Sequence, residues 1–130
     1  MPPLSVLVVD DEPEIARKLV DILRADGHEA AVAESGRAAL ERLAERDYDL
    51  ILSDLRMPDL DGPGLYRELE ASGRHPRGRI AFITGDSLGV GVSRFLAETA
   101  VPYLEKPFVP ADVRRLIARV VRDRHRAPVG

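Results

Sequence analysis

Apolar positions along this chain follow two alternating rhythms. Short aliphatic runs at Ser5–Val9, Asp49–Ser53, Arg79–Thr84 and Pro102–Glu105, with a weaker one at Glu29–Ala33, have the length and β-branched character of strands. Between them, apolar residues return every three or four positions, which predicts helices. The first helix starts at about Pro13, where proline suits the first turn; it carries Ile15, Leu19, Ile22 and Leu23 on one face, with Gly27 just past its end. Ser35 caps a second helix containing Ala39, Leu40 and Leu43, and a third contains Leu65, Tyr66 and Leu69. The last runs from Pro110 to about Arg122, with Val113, Leu116, Ile117, Val120 and Val121 facing inward. The fourth, from Ser87 to about Thr99, is the poorest, because Gly89 and Gly91 each cost about 1 kcal/mol relative to alanine. It is expected to be the most mobile element. Five strand–helix units in a row predict a doubly wound, five-stranded parallel sheet inside a three-layer α/β/α sandwich.

Composition narrows the function classes. A chain of 130 residues with 45% hydrophobic and 32% charged residues forms one domain with its own core. The net charge of −3 argues against direct nucleic-acid binding, which draws on clustered Lys and Arg. The arginines of the last helix and tail read as a solvated face. There is no cysteine, so disulfides and thiolate metal sites are excluded, and a cytoplasmic setting is expected. His28, His75 and His125 lie far apart among polar neighbours and read as surface residues rather than ligands. No apolar run reaches the roughly 18 residues of a membrane span, so no direct membrane contact is expected.

The chemistry sits where the strands end. In an open parallel sheet, ligands bind beyond the carboxyl ends of the strands. There the first strand delivers Asp10 and Asp11, the third Asp54, the fourth Thr84, and the fifth Lys106 followed by Pro107. Two like charges 4 Å apart repel by about 4 kcal/mol at an effective dielectric near 20, so three carboxylates on one rim require a cation. Hard carboxylate oxygens suit Mg²⁺, which binds through one or two carboxylates plus phosphate oxygens. A carboxylate can accept a phosphoryl group, an ammonium such as that of Lys106 can stabilise the transferring oxygens, and the Thr84 hydroxyl can donate to them. Taken singly, a helix cap, a loop acid, a β-forming threonine and a surface lysine explain these residues as well. Such readings give no reason for all of them to share one rim.

The segments VLVVDDE, LILSDLRMPDLDG, FITG and PYLEKPF, with Asp54, Thr84 and Lys106 spaced by 30 and 22 residues, are similar in order and spacing to the receiver domain of two-component response regulators. The resemblance covers nearly the whole chain and implies a flavodoxin-like sheet, with a receiver domain over 1–124 and a flexible tail over 125–130. It implies that Asp54 is the phosphoacceptor. It further implies that Asp11, Asp54 and the backbone carbonyl of Arg56 ligate Mg²⁺, with Asp10 acting through coordinated water. Thr84 and Lys106 would contact the phosphoryl oxygens, Lys106 being held by a cis bond to Pro107, and Thr84 and Tyr103 would form the switch. The implied donor is a phosphohistidine of a sensor histidine kinase or a histidine phosphotransfer protein. The face of helix four, strand five and helix five would serve homodimerisation or output.

Some features depart from the common pattern. Arg56, two positions after the acceptor, is long and cationic, and Gly85 stands where alanine is frequent. GDSL at Gly85–Leu88 spells a lipase motif without the strand context that motif needs, and GVG at Gly89–Gly91 is too short for a dinucleotide fingerprint. FITGD, RFL and PYLEKPF together look like receivers attached to hybrid sensor kinases. The competing function is a Mg²⁺-dependent phosphohydrolase with an aspartate nucleophile; such enzymes place a second acid two residues after the first, whereas Asp11 follows Asp10 directly. A third, phosphorylation-independent interaction domain, leaves the chemical residues without a use.

Overall fold

Val6 and Val8 leave the first strand on one face, Leu7 and Val9 on the other, and all four are fully buried. A strand buried on both faces needs helices on both faces of its sheet. The computed structural model describes residues 2–85 and 89–126, the last two by backbone alone. Its strands are β1 (Ser5–Val9), β2 (Glu29–Ala33), β3 (Leu50–Asp54), β4 (Ile80–Thr84) and β5 (Tyr103–Glu105), all parallel, in the order β2-β1-β3-β4-β5. The helices are α1 (Pro13–Ala25), α2 (Gly36–Glu45), α3 (Gly62–Ala71), α4 (Val90–Thr99) and α5 (Pro110–Arg126).

Two cores result. Val6, Val8, Leu50, Leu52, Ala81 and Ile83 meet α1 and α5, while Leu7, Val9, Ile51 and Phe82 meet α2, α3 and α4. Each fully buried leucine or isoleucine contributes about 1.5–3 kcal/mol. From β1 the chain steps outward to β2, then returns to β3 on β1's other side, so a crevice opens between the carboxyl ends of β1 and β3. Local capping fixes the helices around it. Ser35 accepts the Ala38 N–H at 3.0 Å and Asp61 accepts the Gly64 N–H at 2.8 Å. A Cβ on Gly36 would lie 2.6 Å from the Leu60 carbonyl oxygen, and one on Gly62 would lie 2.8 Å from the Phe82 ring, so both helix starts press on the loop after β3.

The observed elements shift some expected boundaries. β3 begins at Leu50 and includes Asp54, because the Asp49 carboxylate accepts the Ser5 N–H at 2.8 Å while Asp54 stays in register with Ile83. β4 and β5 likewise start one residue later than the apolar runs suggest, at Ile80 and Tyr103. The expected start of the fourth helix at Ser87, and most of the GDSL run, lie outside the described residues. The helix seen begins at Val90 with Gly89 as an extended N-cap, so only Gly91 weakens its interior. α5 continues past Arg122 to Arg126. There the Arg124 guanidinium donates to the Gly78 carbonyl at 2.9 Å and to the Asp49 carbonyl, anchoring a turn that local sequence leaves loose. Of the expected tail, residues 127–130 lie outside the described residues. His28 is buried rather than exposed, and its Nδ1 accepts the Leu4 N–H at 2.9 Å. Among the described residues, no helix is long and apolar enough to cross a membrane.

Candidate functional site: a carboxylate rim

β1 and β3 are neighbours, so the residues that end them are brought side by side. Asp10, Asp11, Glu12 and Asp54 each place a carboxylate oxygen within 4.8 Å of the others. Asp10 and Asp54 are buried, Asp11 and Glu12 exposed. Asp10 accepts the Glu12 N–H at 2.8 Å through Oδ1, while its buried Oδ2 has no hydrogen-bond partner among the described residues. Asp54 accepts the Arg56 N–H at 3.2 Å.

Lys106 answers this charge from the other side. Its Nζ lies 3.8 Å from Asp54 Oδ2 and 3.7 Å from Glu12 Oε1. The residue is placed by a backbone N–H donated to the Thr84 carbonyl at 2.8 Å, and its bond to Pro107 is cis. Thr84 itself is buried at the end of β4, the strand beside Asp54. Tyr103 lies two residues before the end of β5, 39% exposed, on the outer side of the sheet rather than on the rim.

One ammonium does not balance four acids. Burial, then the nearby Asp54 charge, pushes the Asp10 carboxyl up to about 6 against the relief from the Glu12 N–H. Burial also raises Asp54, despite the Arg56 N–H and the Lys106 ammonium, with Asp11 and Glu12 adding repulsion. Both acids are therefore held in a field that resists their ionisation, and Asp10 presents an unpartnered oxygen into the group. A cation satisfies all of these together. The donors are oxygens only, which suits a hard divalent ion.

The rim thus gathers Asp10, Asp11, Asp54 and Lys106, with Thr84 adjoining and the Arg56 backbone N–H bound to Asp54. Glu12 is the addition that residue-by-residue reading misses. It is the third of three consecutive acids and the N-cap of α1, and its side chain makes no cap bond, which leaves it to turn toward Lys106.

A family model for the response regulator receiver domain matches residues 6–120. The DNA-binding response regulator MtrA of Mycolicibacterium smegmatis is 37% identical over 115 residues, covering 88% of this chain and 48% of that protein. The two-component response regulator ORR11 of Oryza sativa subsp. indica is 32% identical over 120 residues, covering 92% of this chain and 82% of that one. The chain therefore spans about half of MtrA and most of ORR11. Among solved structures, a response regulator receiver protein from Pseudomonas putida superposes with a TM-score of 0.81 at 27% identity, over 92% of this chain and 98% of its own. Vibrio cholerae chemotaxis protein CheY4 gives the same TM-score at 24% identity, over 92% and 99%, a likeness of fold alone. With a family model spanning nearly the whole sheet and the acids placed at its switch point, the chain belongs to the response regulator receiver domain family.

Proposed function

We propose that Asp54 accepts a phosphoryl group from a phosphohistidine and that the chain relays this as a change of surface. The observation that carries the reading is the convergence of four carboxylate oxygens with the Lys106 ammonium around a buried aspartate at the end of β3. An Asp54 oxygen attacks phosphorus, the bond from phosphorus to the donor imidazole breaks, and the imidazole leaves as its neutral form after taking a proton. Lys106, 3.8 Å from the acceptor, neutralises charge that develops on the phosphoryl oxygens, and the Thr84 hydroxyl donates to one of them.

The donor set fits Mg²⁺ held by Asp11, Asp54 and the Arg56 carbonyl, with Asp10 engaged through water and Glu12 as a further oxygen. When bound, such a metal would supply charge neutralisation to the transferring phosphoryl group. The chain's own contribution is to hold the acceptor still. The Arg56 N–H fixes Asp54 Oδ1, and burial excludes bulk water from the carboxyl. Arg56 is exposed two residues after Asp54, and screening of the product from hydrolysis by its side chain would show as a lifetime that changes in Arg56→Ala.

Phosphorylation replaces one negative charge with about two and adds strong acceptors. Drawing Thr84 toward them would shift the end of β4, with Tyr103 turning inward as space opens behind Thr84. The exposed Val90, Tyr103 and Val109 line the face that would then change its partner, including a second copy of the chain. The donor is a sensor histidine kinase or a phosphotransfer protein, and a place within a hybrid kinase fits the resemblance.

Incubation with Mg²⁺ and a small acyl phosphate should add one phosphoryl group by intact mass. Asp54→Asn should add none, and omission of Mg²⁺ should suppress the gain. An equal gain in Asp54→Asn would remove the residue from its role. Continuous turnover of a phosphate ester would favour the hydrolase reading.

A further inference from the structure

The end of the sheet opposite the acids carries a cluster of arginines. Asp54 closes β3 and Leu50 opens it, so the two ends lie about 13 Å apart at the usual strand rise. At the amino end a cavity of about 350 Å³ opens under the α3–β4 loop, a volume typical of small-molecule sites. Its lining combines the buried apolar Tyr48, Ile51 and Leu69 with the exposed Arg74, His75, Arg77 and Arg79, and the Arg46 guanidinium lies 4.6 Å from the centre of the Tyr48 ring. Asp47 is the one acid in the lining. Among the described residues none of these three arginines is in an ion pair, although exposed Asp and Glu are common elsewhere on the molecule.

The loop that carries them is anchored. The Arg74 N–H closes the end of α3 on the Leu69 carbonyl at 2.9 Å, and the Arg79 N–H closes a turn on the Pro76 carbonyl at 2.8 Å. Gly73 and Gly78 take φ values of 78° and 79°, open to glycine at little cost, and a Cβ on Gly78 would meet the Arg124 backbone at 2.9 Å. With Arg124 also bound to the Gly78 carbonyl, three guanidinium groups are mounted on a backbone that is already in place. Packing cations this closely has a cost: after burial itself, the nearest influence holding Arg124 below its ordinary value is Arg79.

We propose that this cavity binds a small organic phosphate of the nucleotide type, with the apolar or aromatic body over Tyr48, Ile51 and Leu69 and the phosphoryl groups on Arg74, Arg77 and Arg79. Guanidinium forks match phosphate oxygens two at a time, and three of them call for more than one negative charge. The apolar lining calls for a body that inorganic phosphate lacks. The site is separate from the carboxylate rim and does not depend on Asp54.

The test is an NMR titration of the intact chain with guanosine and adenosine triphosphates, in EDTA so that no metal draws phosphate to the acids, at about 0.15 M salt. The expected result is saturable shifts confined to residues 43–51 and 69–79 with a Kd below about 1 mM, and at least roughly tenfold weaker binding of tripolyphosphate and of the bare nucleosides. Arg74→Gln with Arg77→Gln, both exposed positions, should weaken the nucleotides about tenfold while the amide spectrum stays folded. Asp54→Asn should bind as the parent does. Shifts at the rim instead of the cavity, tripolyphosphate binding as well as the nucleotides, or an unchanged double variant would overturn the proposal. So would self-association of the free chain that the double variant abolishes, since the acids of a second copy would then be the occupant.

Discussion

Two helices flank the carboxylate rim, and they are held in opposite ways. α1 starts on Pro13, buries Ala16, Leu19, Val20, Ile22 and Leu23, and ends cleanly before Gly27. α4 starts on an uncapped glycine, leaves Val90 82% exposed, buries only Phe95 and Leu96, and ends on Ala100 in the left-handed region at φ 55°. Its hold on the domain centres on Phe95, which meets Tyr66 and Phe82 edge to face at 5.4 and 5.7 Å between centroids, with Leu96 and Val92 packed into the same core. The contrast divides labour. On the proposed function, one side would keep the acids in register and the other would yield, since reversing a 1:99 population takes about 5.5 kcal/mol.

The largest effect that tests this division is Leu23→Ala. Leu23 is fully buried, and its truncation should lower the unfolding free energy by about 2–5 kcal/mol in urea. Leu96→Ala should fall at or below the lower end of that range, because α4 relaxes around the gap. Equal losses would erase the contrast.

A second, smaller effect concerns the rim itself. In the fold the Asp10 carboxyl is raised from 3.8 to about 6, so between those values the folded chain holds a proton that the unfolded chain has released. Stability without divalent ions should therefore fall as pH rises from about 4 through 6 and stay low above it. Asp54 pulls in the same direction. Asp26, held low chiefly by the Arg114 hydrogen bond, and Asp112, held low by the Val109 N–H, act oppositely but titrate below the 3.8 of a free carboxyl. Urea melts in EDTA at pH 5 and pH 7.5 read the difference; Asp10→Asn should shrink it, and Mg²⁺ should raise stability at the higher pH. A chain that is more stable at pH 7.5 in EDTA would contradict the strained rim.

The smallest change is Gly91→Ala. Among the described residues nothing lies within 4 Å of the Cβ it would add, so it should stabilise α4 by about 1 kcal/mol. The informative readout is hydrogen exchange: slower in α4, unchanged in α1. If α4 is the yielding side, the variant should also respond less to phosphorylation.

Much of this was legible in the chain. The aliphatic runs locate all five strands to within one residue, and Pro13 and Ser35 mark their helix starts, because these signals are local. The acids, Thr84 and Lys106 could be placed on one rim because a parallel sheet aligns its strand ends. What escaped depends on partners remote in sequence. His28 is buried by the backbone of Leu4, and the last turns of α5 are fixed by Gly78 and Asp49, 46 and 75 residues before Arg124. Glu12 carries no signal of its own beyond following two other acids, and only the position of Lys106 makes it part of the site.

The glycine at the start of α2 has one more consequence. With less than a methyl's clearance between Gly36 and Leu60, and as little between Gly62 and Phe82, the loop after Asp54 is wedged from behind by two separate helices. On the proposed function, a rearrangement begun at Asp54 would have no room to spread toward β2. It would be steered toward β4 and β5, and this abutment would give the response its direction.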